Sequence, residues 1–253
     1  MAGAAVRGRL NWLAAGATQF IDETPRVRSI VLDCHDWPGH LPGQHIDLRL
    51  TAEDGYQAQR SYSIAAPADG DRVIITVELV DDGEVSPFLI EDLRVGDRIE
   101  IRGPIGGYFV WEPTRGGPLQ LIGGGSGVVP LMAMLRASVR SRSDAPVRYL
   151  SSARAYEDLI YRAELETVAS EESGVEVVHT LTRNHPPNWT GPTRRVDREM
   201  LAEHVWPPAV SPLCYVCGPT GFVESVATTL VELGHSPERV KTERFGPSGG
   251  VRR

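Results

Sequence analysis

The stretch Leu119-Gln120-Leu121-Ile122-Gly123-Gly124-Gly125-Ser126-Gly127-Val128-Val129-Pro130 decides the fold of the second half of the chain. Its apolar start predicts a buried strand, Leu119 to Gly123, and the residues after the glycines predict a helix, Val129 to Ser141. A glycine-rich turn between strand and helix lets the backbone approach a pyrophosphate, which then meets free N–H groups and the positive end of the helix dipole. The predicted nucleotide-binding residues are Gly124, Gly125, Ser126 and Gly127.

The spacing in this turn is G-x-G-x-x-P and not the usual G-x-G-x-x-G, so a glycine-rich turn without a ligand remains the alternative. Downstream, strands and helices continue to alternate, which is typical of a doubly wound α/β domain with a parallel sheet. Gly234 suits the end of the last helix. The further strands are predicted at Val147 to Ser151, Val175 to Thr180, Leu213 to Cys217 and Val240 to Glu243, and the further helices at Leu159 to Ala169 and Gly221 to Leu233.

Upstream of the opening stretch the pattern changes to short alternating strands broken by Gly and Pro, which predicts an antiparallel barrel or sandwich. One short helix is predicted from Ser86, a good N-cap, to near Leu93. The Pro- and Gly-rich segment Pro113 to Pro118 reads as a linker and divides the chain into domains at 1–115 and 116–253. The predicted strands are Arg26 to Asp33, Gln44 to Leu50, Ser61 to Ala65, Arg72 to Val80 and Asp97 to Arg102.

The residues after the second strand of the α/β half indicate which nucleotide it binds. An acidic residue there would hold the ribose 2′-hydroxyl of NAD, but this chain has Ser152 and Arg154. Serine and arginine suit a 2′-phosphate, so NADPH is the predicted nucleotide. Arg162 and Arg183 would add positive charge to this pocket, and their alternative is that of solvated surface arginines.

Cys214-Tyr215-Val216-Cys217 has C-x-x-C spacing but lies on an apolar predicted strand. The odd offset puts the two thiols on opposite faces, so the segment predicts neither a redox pair nor a metal site. Cys217 together with Gly218 and Pro219 falls at the carboxyl end of the sheet, where ligands bind in such folds. No metal is predicted.

Two segments of the first half carry groups suited to a flavin nucleotide. Arg60-Ser61-Tyr62-Ser63 supplies an arginine for a phosphate, a tyrosine to stack on a ring and serines to bind a ring nitrogen. Gly83-Glu84-Val85-Ser86-Pro87 is a turn into a helix N-terminus, which suits a pyrophosphate. Taken singly, the two segments could also be a barrel strand and a capped surface helix.

Composition limits the other classes of function. The chain has 253 residues, 41% hydrophobic and 23% charged, with a net charge of −7, which disfavours non-specific nucleic-acid binding. No apolar run of about 18 residues predicts a membrane span, and the first 17 residues lack a signal-peptide pattern. Three cysteines make no disulfide framework, so a cytoplasmic location is expected.

The combination of segments resembles the ferredoxin–NADP reductase superfamily. The matching segments follow the family's order and cover nearly the whole chain. They are Arg60 to Ser63, Gly83 to Ser86, Gly123 to Pro130, Cys217 to Pro219, the barrel turns Pro42 to His45 and Gly103 to Phe109, and Asp158 to Leu165. The resemblance implies a Greek-key antiparallel β-barrel that binds a flavin, followed by a doubly wound, parallel-sheet NADP-binding domain.

The resemblance also implies roles for individual residues. Arg60 would contact a flavin phosphate, Tyr62 would pack on the ring, and Ser63 would lie near its reactive nitrogen. Ser63, Glu243 and Cys217 are the implied catalytic residues, and Phe245 would cover part of the ring. The flavin would further be lined, partly through backbone groups, by Val77, Glu78, Leu79 and Val80. Its pyrophosphate would be bound by Gly83, Val85 and Ser86, which favours FAD over FMN.

The implied activity is an FAD-dependent oxidoreductase that takes a hydride from NADPH and passes electrons to a separate partner, a ferredoxin-like iron–sulfur protein. Arg60, Arg244, Arg252 and Arg253 could form a basic rim for an acidic partner. A monomer or weak dimer is expected. Two alternatives remain open: a diaphorase that reduces free flavin, quinone or ferric complexes, and an electron-transfer subunit of a larger complex. The tail after Phe245, Gly246 to Arg253, departs from family members that end on an aromatic residue.

Overall fold

The computed structural model describes residues 10–245, so the predictions for Arg252, Arg253 and the tail lie outside the described residues. In chain order the strands and helices are β1 (Leu13–Thr24), β2 (Val27–Asp33), β3 (His45–Thr51), β4 (Gln57–Ser63), β5 (Arg72–Glu78), a helical turn (Phe88–Asp92), β6 (Arg98–Ile105), β7 (Leu119–Gly124), α1 (Val128–Arg140), β8 (Val147–Ala155), α2 (Arg162–Glu171), β9 (Val175–Asn184), α3 (Arg198–His204), β10 (Leu213–Pro219), α4 (Thr220–Glu232) and β11 (Val240–Phe245).

The first six strands form an antiparallel sheet in the order β4-β3-β6-β1-β2-β5. A bridge between Ile64, just after β4, and Ile75 of β5 joins the two ends of this sheet. The sheet therefore closes into a barrel, as predicted, and its non-sequential neighbours are those of a Greek key. Strand β1 escaped the sequence analysis because its core-facing side chains, Ala15 and Ala17, are small and give a weak alternation.

The short helix of the barrel half lies where the sequence predicts it, around Phe88–Asp92. Ser86, however, is not its capping side chain. The Ser86 hydroxyl instead accepts a hydrogen bond from the backbone N–H of Val80 at 3.1 Å. The serine thus closes the loop between β5 and the helical turn, which shapes the wall described below.

The second half is a five-stranded parallel sheet in the order β11-β10-β7-β8-β9. Helices α1 and α2 pack on the face toward the barrel, and α3 and α4 pack on the opposite face. This confirms the predicted doubly wound domain. Within residues 10–245, no helix is both long and apolar enough to cross a bilayer.

Element boundaries differ from prediction in the stretch after β7. Strand β8 continues to Ala155 instead of ending at Ser151. Helix α2 begins at Arg162 instead of Leu159, because Tyr161 has a left-handed backbone (φ 59°) that no helix continues through. The sequence analysis also missed α3, whose cap is the Asp197 carboxylate accepting from Met200 N at 2.9 Å.

A buried chain of hydroxyl groups connects the two halves. Ser29 Oγ donates to Glu23 Oε1 (2.6 Å) and accepts from Thr76 Oγ1 (2.8 Å), which in turn accepts from the Tyr161 hydroxyl at 2.5 Å. Tyr161 is only 2% exposed, so its hydroxyl has no water to replace Thr76. The left-handed turn at Tyr161 is what directs this side chain into the barrel.

A second connection runs from α1 to both neighbours. Arg136 donates two hydrogen bonds to the Glu164 carboxylate of α2 (2.8 and 2.6 Å) and one to the carbonyl of Ala65 beside the barrel (2.8 Å). Its guanidinium also lies 5.0 Å from the centre of the Tyr161 ring. All the acceptors are satisfied by one fork-shaped side chain, which fixes the orientation of α1 against the barrel.

The segment between the two sheets packs mainly on the second one. Tyr215 of β10 donates to the carbonyl of Val110 at 2.6 Å, and its ring stands edge-on to Phe109 at 5.3 Å. Trp111 is fully buried in the same cluster. The domain boundary at residue 115 stays a prediction.

Replacing Tyr161 by Phe removes one hydroxyl from the connecting chain and leaves Thr76 with an unfilled buried position. We expect the free energy of unfolding to fall by about 1–3 kcal/mol, measured by urea titration. Tyr156→Phe is the matched control, because the Tyr156 hydroxyl has no hydrogen-bond partner among residues 10–245, and it should change stability by less than about 0.5 kcal/mol. Equal stability of the two variants would contradict a connecting role for Tyr161.

Candidate functional site

A cleft of about 1040 Å³ opens between the barrel and the last strand of the parallel sheet. One wall is β4 with the loop that follows β5, and the other is the end of β11. It is lined by His45, Gln59, Arg60, Ser61, Tyr62, Ser63, Glu78, Val80, Asp82, Gly83, Glu84, Val85, Ser86, Glu243, Arg244 and Phe245. The structure therefore brings together two segments that lie some 160 residues apart in the chain.

Strand β4 presents Arg60 and Tyr62 to the cleft. Arg60 is exposed, and its guanidinium donates to the Gln59 carbonyl (2.7 Å) and pairs with Glu84 (3.7 Å). Tyr62 is half-buried against the barrel core, and burial raises the pKa of its hydroxyl to about 12. Arg60 is therefore an exposed cation paired with Glu84, whereas Tyr62 offers an uncharged ring.

Ser61 borders the cleft, but its hydroxyl donates to Asp47 at 2.7 Å. Arg102 holds the other Asp47 oxygen at 2.6 Å. Burial on its own would raise the pKa of Asp47, yet the bonds from Arg102 and Ser61 outweigh it and lower that pKa. The Ser61 hydroxyl is thus already hydrogen-bonded within the barrel wall.

Two buried oxygens in the cleft walls have no hydrogen-bond partner among residues 10–245. They are Ser63 Oγ, at the end of β4, and Glu243 Oε2, on β11. Burial raises the pKa of Glu243 to about 7. Buried polar atoms rarely remain unpaired, so these two indicate a ligand that reaches both walls. They come from different halves of the chain, so a ligand that pairs with both would lie at the junction.

Cys217 lies one strand behind this wall, in register with Glu243 of β11 and Gly123 of β7. It is fully buried and does not line the cleft. Burial and then the charge of Glu243 raise the pKa of its thiol well above the ordinary value. Cys214 packs in the core on the opposite face of the sheet, which confirms that the C-x-x-C spacing does not form a thiol pair.

The end of β5 contributes Glu78 to the cleft, and the loop after β5 contributes Val80, Gly83, Val85 and Ser86. A Cβ on Gly83 would lie 3.0 Å from the Val80 carbonyl oxygen and 3.1 Å from Ser86 Oγ, so a larger residue there would require one of these neighbours to shift.

Two neighbouring residues that the resemblance placed at the flavin do not reach the cleft. Val77 lies in the barrel core. The backbone N–H of Leu79 donates to the Arg26 carbonyl, and the carbonyl of Leu79 accepts from the Arg26 guanidinium (3.0 Å).

The glycine-rich turn joins β7 to α1 as predicted, and the first N–H groups of α1 have no side-chain cap. Its glycines also have a packing role that the sequence analysis did not anticipate. A Cβ on Gly127 would lie 2.3 Å from the Cys217 carbonyl, and one on Gly124 would meet the Phe222 ring at 3.0 Å. A Cβ on Gly218, whose φ is +154°, would lie 2.9 Å from the Gly124 carbonyl oxygen.

Gly125 and Ser126 lie at the open mouth of the turn, with Ser126 half-buried, and Pro219 is exposed where α4 begins. These three residues, unlike the packed glycines, stand where a nucleotide could contact them. The glycine pattern therefore reports close packing of strand ends as well as room for a phosphate.

Three of the residues predicted to bind the 2′-phosphate, Ser152, Arg154 and Arg183, lie toward the carboxyl ends of β8 and β9. Ser152 sits inside β8, in register with Gly124 and Thr180. Arg154 and Arg183 are exposed and have no ion-pair or hydrogen-bond partner within the described part of the chain. Both guanidinium groups are thus available to an anion.

Arg162 differs from those two arginines. It pairs with Glu166 at 3.3 Å and stacks on the Tyr156 ring at 4.6 Å. Tyr156 in turn contacts the edge of Trp189 (5.8 Å). The sequence analysis passed over this aromatic pair because Trp189 lies in an irregular loop with no motif around it.

The two arginines of the predicted basic rim that lie within residues 10–245 are both paired with carboxylates. Arg60 pairs with Glu84, and Arg244 pairs with Glu224 at 2.7 Å. His45 and Glu84 line the cleft although neither was among the predicted site residues. Both were visible in quoted motifs, Pro42 to His45 and Gly83 to Ser86, whose side-chain roles the motifs alone do not state.

Two family models match the chain. The oxidoreductase FAD-binding domain matches residues 29–110, and the oxidoreductase NAD-binding domain matches residues 121–228. The first match covers the barrel from β2 onward, including the barrel wall of the cleft, and the second covers the parallel sheet from β7 to β10 with its glycine-rich turn; β1 and β11 lie outside both.

Several curated proteins are similar over both halves. NADH-cytochrome b5 reductase 1 of Aspergillus terreus is 30% identical over 205 residues, which are 78% of this chain and 68% of that protein. The reductase subunit of an aromatic O-demethylase from Amycolatopsis is 28% identical over 242 residues, or 93% and 70% of the two chains. The ferredoxin–NAD(P)(+) reductase component of the naphthalene 1,2-dioxygenase system of Pseudomonas putida is 28% identical, over 82% of this chain and 61% of its own.

Solved structures agree with these relatives. The FAD/NAD-binding domain of nitric oxide dioxygenase from Vibrio cholerae superposes with a TM-score of 0.82 at 26% identity, covering 93% of this chain and 99% of that one. A cytochrome P450 reductase of Amycolatopsis gives 0.82 at 28% identity, covering 97% and 74%. With an FAD-binding barrel and an NAD-binding sheet in this order, the chain belongs to the ferredoxin–NADP reductase superfamily of oxidoreductases.

Proposed function

We propose that the chain binds FAD in the cleft, accepts a hydride from NADPH and delivers the electrons to a separate ferredoxin-like iron–sulfur protein. The observation that carries the proposal is the pair of unpartnered oxygens, Ser63 Oγ and Glu243 Oε2, in the two walls of one cleft. They leave polar positions for a flat heteroaromatic ring between barrel and sheet. FAD, when bound, supplies the exchange between hydride and single electrons that amino-acid side chains cannot perform.

The residues of the chain would bind and orient the two cofactors. Arg60 and the N–H groups at Val85 and Ser86 offer positive potential to a pyrophosphate. Tyr62 supplies a ring that stays uncharged, and Ser63 a hydroxyl with an open hydrogen bond. Glu243 keeps a proton near neutral pH on the nicotinamide side, and Cys217 packs behind Glu243 as a neutral thiol that excludes water.

A separate acceptor follows from the cysteines and from the relatives. The chain has three cysteines, all buried, whereas an iron–sulfur cluster of the ferredoxin type takes four thiolates. The cluster would therefore be outside these 253 residues. Two relatives are named as reductase parts of a demethylase and a dioxygenase system, which supports a partner protein.

The activity is tested by anaerobic stopped-flow. Purified protein should carry FAD, and NADPH should bleach the flavin absorbance in a single rapid phase. Reoxidation is then followed with a ferredoxin, cytochrome b5, a free flavin, a quinone and a ferric chelate. Fast electron transfer to the iron–sulfur protein is expected. Fast turnover with the small acceptors alone would instead identify a diaphorase, and protein that takes up no FAD would overturn the proposal as a whole.

The choice of NADPH rests on Arg154. Its exposed guanidinium has no partner in residues 10–245 and follows Ser152 along the edge of the sheet. Replacing Arg154 by Ala removes a charge-assisted hydrogen bond to the 2′-phosphate, which should raise the KM for NADPH about 10- to 100-fold and leave that for NADH unchanged. Arg98→Ala, an exposed barrel arginine, is the control.

NADH is the rival coenzyme, because it stands in the name of the Aspergillus relative. Wild-type protein that prefers NADH, or an Arg154→Ala variant with an unaltered KM for NADPH, would show that the 2′-phosphate is not recognised here. Arg183→Ala should give a smaller increase in the same direction.

Glu243 predicts a pH dependence of stability. Burial raises its pKa from 4.5 to about 7, so the folded apoprotein holds this proton more tightly than the unfolded chain between those values. The free energy of unfolding should therefore decrease as the pH rises through this window and level off above it. Urea titrations of wild type and Glu243→Gln across about pH 5 to 8 check this. The free energy of unfolding of Glu243→Gln should not show this decrease. The same pH dependence in wild type and variant would contradict the prediction.

A further inference from the structure

Three side chains form a connected group on the barrel wall of the cleft. The Tyr56 hydroxyl donates to Glu84 Oε1 at 2.9 Å, and Arg60 Nη2 pairs with Glu84 Oε2 at 3.7 Å. Glu84 is thus held by both carboxylate oxygens. Tyr56 closes the β3–β4 hairpin, Arg60 lies on β4 and Glu84 lies in the loop after β5, so the group bridges two segments of the barrel.

The position of Glu84 conflicts with an anionic ligand. Glu84 lies between Gly83 and Val85, in the turn that lines the cleft, and Arg60 is an exposed cation of the same cleft wall. One guanidinium nitrogen of Arg60 donates to the Gln59 carbonyl, and a second forms an ion pair with Glu84 at 3.7 Å. A pyrophosphate that binds Arg60 must displace Glu84 or lie next to its negative charge.

We infer that Glu84 competes with the FAD pyrophosphate for Arg60 and so weakens flavin binding. Glu84 is an internal substitute for the phosphate: it holds Arg60 in the wall when the cleft is empty and must release it when FAD enters. The inference rests on the proposed function, in which this cleft binds FAD. It assigns to Glu84 a role in the affinity and exchange of the cofactor.

The expected effect is moderate because the group is half exposed. The Arg60 and Glu84 side chains are 55% and 54% exposed, so solvent screens their attraction. Replacing Glu84 by Gln keeps the shape and the hydrogen bond from Tyr56 while removing the charge. We expect the Kd for FAD to fall about three- to tenfold and the FAD release rate to fall in proportion.

The experiment uses apoprotein prepared by removing bound flavin, titrated with FAD while flavin fluorescence is recorded. Wild type, Glu84→Gln, Arg60→Ala and the double variant are compared. Riboflavin, which has no phosphate, is the ligand control, and Glu53→Gln, on the exposed β3–β4 hairpin, is the control for loss of a surface charge. Thermal melting of each apoprotein verifies that it is folded.

Four results support the inference together: tighter FAD binding by Glu84→Gln, no change with riboflavin, no change in Glu53→Gln, and a much smaller gain when Arg60 is already Ala. Weaker FAD binding by Glu84→Gln would overturn it and make Glu84 a residue that prepares Arg60 for the phosphate. An equal gain for riboflavin would also overturn it. Wild-type apoprotein that binds no FAD would instead refute the proposed function itself.

Discussion

The hydroxyl chain from Ser29 through Thr76 to Tyr161 is the interaction on which the rest of the structure depends. It is buried, it crosses from barrel to sheet, and no solvent can replace its members. The fork of Arg136 on Glu164 and Ala65 fixes the same interface from the α1 side. Because both connections are directional, they define one orientation of the halves, where apolar packing alone would accept several.

That orientation is what makes a site out of two incomplete walls. Ser63 ends a barrel strand and Glu243 belongs to the last strand of the sheet, and each has an oxygen that its own half leaves unpaired. A small rotation of one half relative to the other would change the position of one oxygen without the other. The packing between the halves therefore keeps both unpaired oxygens in place, where a ligand could pair with them.

Much of the fold was predictable from the residues, because periodicity and glycine-rich turns are local signals. The parallel strands, the barrel and the position of the glycine-rich turn all followed from them. Strand β1 did not, since Ala15 and Ala17 resemble a loop composition. The left-handed Tyr161 did not either, because nothing in its neighbours requires that backbone. The site was partly predictable. Arg60, Ser63 and Glu243 line the cleft, but Val77 lies in the barrel core and Leu79 does not line the cleft. The Glu84 contact joins segments whose pairing no motif records.

Strand β11 lies at an edge of the parallel sheet and pairs on one side only, with β10. An edge strand loses its hydrogen bonds at lower free energy than the strands between neighbours. Fraying of Val240–Phe245 would dismantle the wall that carries Glu243 and Phe245, while the two hydrophobic cores would lose only Val240 and the contact with Phe245. The protein could thus stay folded and still lose one wall of the cleft. Amide hydrogen exchange in β11 would detect this local opening, whereas a melting curve, which reports on global unfolding, would not.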